Sequence, residues 1–301
     1  MRVDRAGRAA GAWWGGVTAG VPRMVGAIPP TAQVLIGIVS VQVGAALAKQ
    51  LFSTAGAAGT VTLRLVFAAL ILVLVWRPSL RVDRRALPVI LGYGVVLGVM
   101  NLCFYLAIER IPLGIAVTVE FLGPLAVALV GSRRWLDGLW ALLAAAGVVL
   151  LSQSGGSVSV VGLLLALAAG VCWAGYILLS AALGSRTSDG SGLALATVVA
   201  GLLITPFGVV GAGVDLLQPW VLAVGAGVAL MSSVIPYSLE LEALRKIPPR
   251  VFGVLMSMEP AVAALAGLVV LHEALRPLQW VAICCVVAAS AGATRYAKPQ
   301  P

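Results

Sequence analysis

The sequence predicts an all-α integral membrane protein of ten transmembrane helices, arranged as two inverted five-helix repeats. Three observations carry that prediction. Apolar residues make up 61% of the chain and charged residues only 10%, against about 45–50% and about 25% in soluble domains. Apolar runs of roughly 17–25 residues follow one another along most of its length, the span needed to cross a hydrocarbon layer about 30 Å thick. Finally, Tyr105–Pro124 and Leu241–Pro260 share an Ile-Pro pair and a later proline at a single offset of 136 residues.

The runs fall near 33–52, 56–76, 86–108, 113–131, 135–152, 158–183, 190–214, 219–242, 249–271 and 276–296. Charge, proline or glycine marks the breaks, as at Arg77-Pro78, Arg110-Ile111-Pro112, Ser132-Arg133-Arg134 and Pro248-Pro249. Several connections are only a few residues long, so sequential helices are antiparallel neighbours. Residues 1–32 precede the first run. Their basic residues and weakly apolar stretch have the outline of a secretion signal, but Gly runs and Pro22-Arg23 interrupt it. A cytoplasmic tail is expected, with Trp13 and Trp14 suited to the membrane interface. Residues 33–155 and 156–297 form the two repeats, and 298–301 a cytoplasmic end.

Charge sets the orientation. With the N-terminus inside, the inner segments collect sixteen of the twenty Lys and Arg residues: Arg2, Arg5, Arg8, Arg23, Arg77, Arg81, Arg84, Arg85, Arg133, Arg134, Arg186, Arg245, Lys246, Arg250, Arg295 and Lys298. The outer loops hold Arg110 and Arg276, while Lys49 and Arg64 lie within spans. That is a strong positive-inside bias, with both termini cytoplasmic. It also accounts for the net charge of +9 without a basic, aromatic-interleaved nucleic-acid face.

Five spans separate the two proline-bearing segments. Five is odd, so the second copy is upside down relative to the first. Inverted repeats are common in secondary transporters, which bind solute between the halves near the midplane.

Ionisable side chains inside spans each cost about 2.5–3.5 kcal/mol or more at mid-bilayer unless paired or hydrated. Five occur: Lys49, Arg64, Glu120, Glu240 and Glu259. At a rise of about 1.5 Å per residue, Arg64 and Glu120 sit at similar depths, about 10–12 Å below the outer boundary. They form either an ion pair that only ties two helices or a pair lining a solute path. Glu259 precedes Pro260 near the midplane, where a proline frees a backbone carbonyl. Pro124 follows Glu120 at the corresponding place. Glu259 is thus a cation- or proton-responsive site or a protonated core carboxyl. Lys49 near the outer end serves the path or snorkels, and Glu240 reads as a solvated carboxylate at the inner boundary. Asn101, Tyr105, Trp173, Tyr176, Tyr237 and Ser238 are candidates for cavity walls, or for packing. Gly94 and Gly98 predict a close helix contact.

Enzyme machinery is absent from the sequence. There is no GxxxxGK[ST] phosphate loop and no HExxH, the single histidine His272 rules out a two-histidine metal motif, and no cofactor is expected. Cys103, Cys172, Cys284 and Cys285 all lie in apolar runs and read as small core residues.

The segments VQVGAALAKQLF (41–52), NLCFYLAIERIPLGIAVTVEFLGPLAVAL (101–129), CWAGYILLS (172–180) and IPYSLELEALRKIPPRVFGVLMSMEPAVAALAGLVVLHEAL (235–275) resemble the threonine/homoserine exporter branch of the EamA drug/metabolite transporter superfamily. The likeness runs over about 33–295. It implies the ten-span inverted-repeat fold, a bacterial inner-membrane location, and export of small neutral amino acids, with protons as a coupling partner. Lys49, Arg64, Glu120 and Glu259 lie inside the resembling blocks. Export of another metabolite or drug is the alternative within transport; an intramembrane enzyme or scaffold is the alternative outside it. A homodimer is left open.

Overall fold

The structure, a computed structural model, describes residues 28–78, 86–129, 135–153, 159–184, 191–244, 246–247 and 249–296. The tail through residue 27 lies outside the described residues. So do Arg81, Arg84, Arg85, Arg133, Arg134, Arg186, Arg245 and Lys298. Thirteen α-helices occur among the described residues. They are α1 (Pro30–Gln50), α2 (Phe52–Trp76), α3 (Leu87–Ile108), α4 (Leu113–Glu120), α5 (Leu122–Leu129), α6 (Trp135–Gln153), α7 (Val160–Gly184), α8 (Ser191–Ala212), α9 (Pro219–Ala229), α10 (Ile235–Leu244), α11 (Pro249–Met256), α12 (Glu259–Leu271) and α13 (Pro277–Tyr296). A 3₁₀ turn (Gly213–Leu217) follows α8, and a π turn (Leu230–Val234) joins α9 to α10.

Six helical stretches are long and apolar enough to cross a membrane, and four shorter apolar stretches occupy 113–129, 138–151, 219–234 and 277–293. The first helix begins at Pro30, three residues before the expected boundary, because a proline at a helix start gives up only a donor that has no intrahelical partner. Pro219, Pro260 and Pro277 open helices in the same way. Outward-facing side chains along the described helices are mostly apolar: Leu74 is 70% exposed, Leu142 71% and Val210 89%. Apolarity on every face is the pattern of helices solvated by lipid.

Polar groups inside such helices satisfy themselves locally. Thr60, Thr62, Thr118, Thr197 and Thr205 each donate to the carbonyl four residues back, at 2.6–2.9 Å. Glycines set the helix crossings. A Cβ on Gly94 would fall 2.6 Å from the Ala196 carbonyl oxygen, and one on Gly98 3.3 Å from Ile204. The expected small-residue contact is therefore the crossing of α3 and α8. At a second crossing a Cβ on Gly123 would overlap the Gly170 carbonyl, and one on Gly170 would come 2.6 Å from that of Glu120.

Packing recurs in a regular way. Helix α1 lies against α10 and α12 as α7 lies against α3, α4 and α5; α2 packs on α8, α6 on α13 and α4 on α12. Helices α4 and α11 are each eight residues long, and the 136-residue offset carries the bounds of one onto the other. Both end in a short break upstream of a proline, Pro124 and Pro260.

Candidate solute-binding cavity

A cavity of about 600 Å³ lies among α1, α2, α3, α4, α5, α7, α10, α11, α12 and the π turn. Arg64, Glu120 and Glu259 line it, together with Asn101 and Tyr176 from the expected set. The three charged residues are 8%, 8% and 6% exposed, sealed from lipid yet facing this one chamber. Glu240 lines it as well, so this carboxyl belongs to the chamber and not only to the membrane boundary.

Proline chemistry explains how Arg64 is held. Pro236 has no N–H, so the Ser232 carbonyl four residues earlier lacks its helical donor. Arg64 Nη2 donates to that carbonyl at 3.2 Å, and Nη1 to the Tyr105 hydroxyl at 3.4 Å. The guanidinium carbon is 5.6 Å from the Tyr105 ring centroid, a cation–π distance. Tyr105 is fully buried behind Arg64 and outside the cavity lining. The neighbouring π-turn carbonyl, that of Met231, accepts from Ser40 Oγ at 2.7 Å.

Arg64 and Glu120 share the chamber without forming an ion pair; among the described residues those pairs are Lys49–Glu273 and Arg110–Glu109. Glu259 Oε1 accepts from Gln42 Nε2 at 3.1 Å. The aromatic walls are Trp173, edge-on to Phe121 at 5.5 Å, and Tyr176, 4.8 Å from Tyr93. The Tyr237 and Ser238 side chains lie outside the described residues. Cys103, Cys172, Cys284 and Cys285 are free thiols.

Lys49 sits elsewhere. Its Nζ meets Glu273 Oε1 at 2.6 Å and the Ile111 carbonyl at 3.2 Å, while Glu273 Oε2 accepts from the Leu113 N–H at 2.8 Å. His272 in left-handed conformation (φ 56°) ends α12, and the Glu273 N–H turns back to the Gly267 carbonyl. This aims the carboxylate at Lys49 and caps α4. The latch closes one end of the bundle, where Tyr105, Ile108, Ile111 and Leu113 are 0–2% exposed. Toward the opposite end the chamber continues past Val127, Ser180 and Phe252.

Gln42, Ser232 and Glu273 escaped a reading based on buried charge. Gln42 and Ser232 are neutral, and Glu273 falls in a connection. The available signals were Gly44, which leaves room for Ser232, and Pro236, which frees its carbonyl.

A multi-span helical bundle enclosing a chamber with buried opposite charges defines a membrane transporter. Residues 160–295 match the model of the EamA-like transporter family. The chain is 44% identical over 277 residues to the threonine/homoserine exporter RhtA of Salmonella typhimurium strain LT2, covering 90% of this chain and 93% of that one. It is 45% identical over 269 residues to the Escherichia coli K12 protein of the same name, covering 88% and 91%. The chain belongs to the EamA-like transporter family. A solved structure described only as "Crystal structure of protein" shares the fold, with a TM-score of 0.57 at 21% identity over 90% of this chain and 98% of the other.

Proposed function

We propose that the protein exports threonine, homoserine and similar small neutral amino acids from the cytoplasm across a bacterial inner membrane. The observation that carries this reading is a single chamber receiving a guanidinium from Arg64 and carboxyls from Glu120 and Glu259. An amino acid is a zwitterion, and its two charges call for one cation and one anion. Arg64 takes the carboxylate, and Glu259 or Glu120 the ammonium. Protonation of Glu259 removes its hold on the ammonium and releases the solute outward, which couples export to the proton gradient.

Alternating access supplies the path, in ten spans forming two inverted halves with both termini cytoplasmic. The coincident bounds of α4 and α11, the recurrent packing of α1 and α7, and the odd spacing of the repeats support the inversion. The concentration of Lys and Arg in alternate segments supports the orientation. In that orientation the Lys49–Glu273 latch closes the outer face and the chamber faces the cytoplasm.

Counterflow of radiolabelled threonine in proteoliposomes tests the function. Labelled threonine is expected to accumulate against unlabelled threonine or homoserine, and faster under an imposed pH gradient. No accumulation of either amino acid by folded protein would exclude the reading.

The latch yields its own expectation. Glu273→Gln keeps one acceptor for the Leu113 N–H but no longer neutralises Lys49. A charge-assisted hydrogen bond contributes about 1.5–3 kcal/mol when buried, and this pair is partly exposed, so about 1 kcal/mol is expected. The outward-open population then rises about fivefold. A cysteine at Ile108, in a background lacking the native cysteines, reports it by faster labelling with an impermeant maleimide. Unchanged labelling would limit the latch to holding α4.

A further inference from the structure

We propose that the Ser232 hydroxyl reads the side-chain hydroxyl of the transported amino acid, while the Gln42 amide oxygen shares its ammonium with Glu259. This inference rests on the amino-acid reading of the chamber and adds to it the residues that select among amino acids.

Three oxygen atoms at the cavity wall are sealed from solvent and lack a hydrogen-bond partner: Gln42 Oε1, Ser232 Oγ and Glu259 Oε2. The residues are 2%, 1% and 6% exposed, and all three line the cavity. Such atoms are rare, because leaving a buried polar group unsatisfied costs about as much as a lost hydrogen bond. Most of the other buried hydroxyls have a partner. The threonines bond within their own helices, Ser40 reaches the Met231 carbonyl, and Ser257 meets Ser290 at 2.9 Å. Among the described residues Ser232 has the one sealed hydroxyl left over. Gly44 opposite it has no side chain, and a Cβ there would overlap Ser232 Oγ.

The arrangement has a direction. The Ser232 carbonyl holds Arg64 Nη2, so a solute bound at Arg64 lies within reach of Ser232. The Gln42 amide donates its N–H to Glu259 Oε1, which leaves two acceptors, Gln42 Oε1 and Glu259 Oε2, for an ammonium with three donors. A ligand that satisfies the whole set has a carboxylate, an ammonium and a short hydroxyl arm. Threonine and homoserine fit that description, and their common deoxy analogue, 2-aminobutyrate, leaves Ser232 Oγ unmet. A site built around a hydroxyl discriminates against the analogue that lacks it.

The test compares full-length wild type, Ser232→Ala and Thr205→Ala in proteoliposomes, with threonine and 2-aminobutyrate as competing substrates. Thr205 bonds within its own helix and serves as the control. The wild-type preference for threonine, read as the ratio of kcat/KM values, is expected to fall about five- to tenfold in Ser232→Ala, the worth of one neutral hydrogen bond, and to stay unchanged in Thr205→Ala. Without ligand, Ser232→Ala is expected to melt no lower than wild type, since it removes an unsatisfied group, and threonine is expected to raise its Tm less. A wild type that prefers threonine, with the preference intact in Ser232→Ala, would overturn the hydroxyl assignment while leaving the transport reading in place. A wild type that moves amino acids without preferring threonine to 2-aminobutyrate would overturn the subsite together with the substrate class.

Discussion

Arg64→Ala is expected to reduce threonine transport at least about 30-fold. Truncating one member of a buried, hydrogen-bonded charge set costs about 2–5 kcal/mol, and 2 kcal/mol already corresponds to about 30-fold in affinity. Three losses combine in this variant. The substrate carboxylate has no guanidinium to meet, the Ser232 carbonyl freed by Pro236 loses its donor, and Tyr105 loses the cation beside its ring. Arg64→Lys separates them. A lysine keeps the charge but offers a single ammonium where the fork reached Ser232 and Tyr105 together, so transport is expected between wild type and alanine. The measurement is threonine counterflow alongside the threonine-induced rise in Tm. Full transport by Arg64→Ala would remove the arginine from the solute site and leave it a tie between α2 and the π turn.

The second large effect concerns folding. Gly123→Leu or Gly170→Val is expected to yield little or no folded protein in the membrane. At this crossing α7 meets the end of α4 and the start of α5 backbone to backbone, and a Cβ on either glycine would run into a carbonyl oxygen across the contact. A carbonyl cannot rotate away as a side chain does, so the helices must separate. Separation also disturbs Glu120, whose backbone carbonyl packs on Gly170. Overpacking a well-filled contact costs about 1–3 kcal/mol, and more where no rotamer escapes, a large share of the stability of a typical domain. Gly92→Ala is the comparison, since a Cβ there meets nothing within 4 Å. Yield of monodisperse protein in detergent and its Tm report the difference; a normal Tm for Gly170→Val would show that the crossing relaxes.

Much of this architecture was legible because lipid leaves a chain few choices. Backbone groups in lipid must be satisfied within the protein, most cheaply within a helix, so helical stretches track apolar runs, and Pro78, Pro112 and Pro249 fall at or near their ends. The bounds of α4 and α11 followed from one offset, since the Ile-Pro pair sets where each helix starts. Arg64, Glu120 and Glu259 stood out because a charge in an apolar run needs a reason. What stayed hidden depends on contacts across long separations. Nothing near Lys49 in the sequence announces Glu273, 224 residues later, and the acceptor of Arg64 is a backbone atom 168 residues away. Neutral residues were harder still. Gln42 and Ser232 raise no alarm in a hydropathy profile, and only the hydrogen bonds they do not make set them apart.

The presence of Glu240 beside Glu120 and Glu259 gives the chamber a consequence of its own. Among the described lining residues, three carboxyls face the single guanidinium of Arg64. A dicarboxylic amino acid would bring a second carboxylate into this vestibule, where Arg64 offers one guanidinium. Such a solute is therefore expected to be moved less than threonine, a difference that competition between threonine and glutamate in proteoliposomes measures.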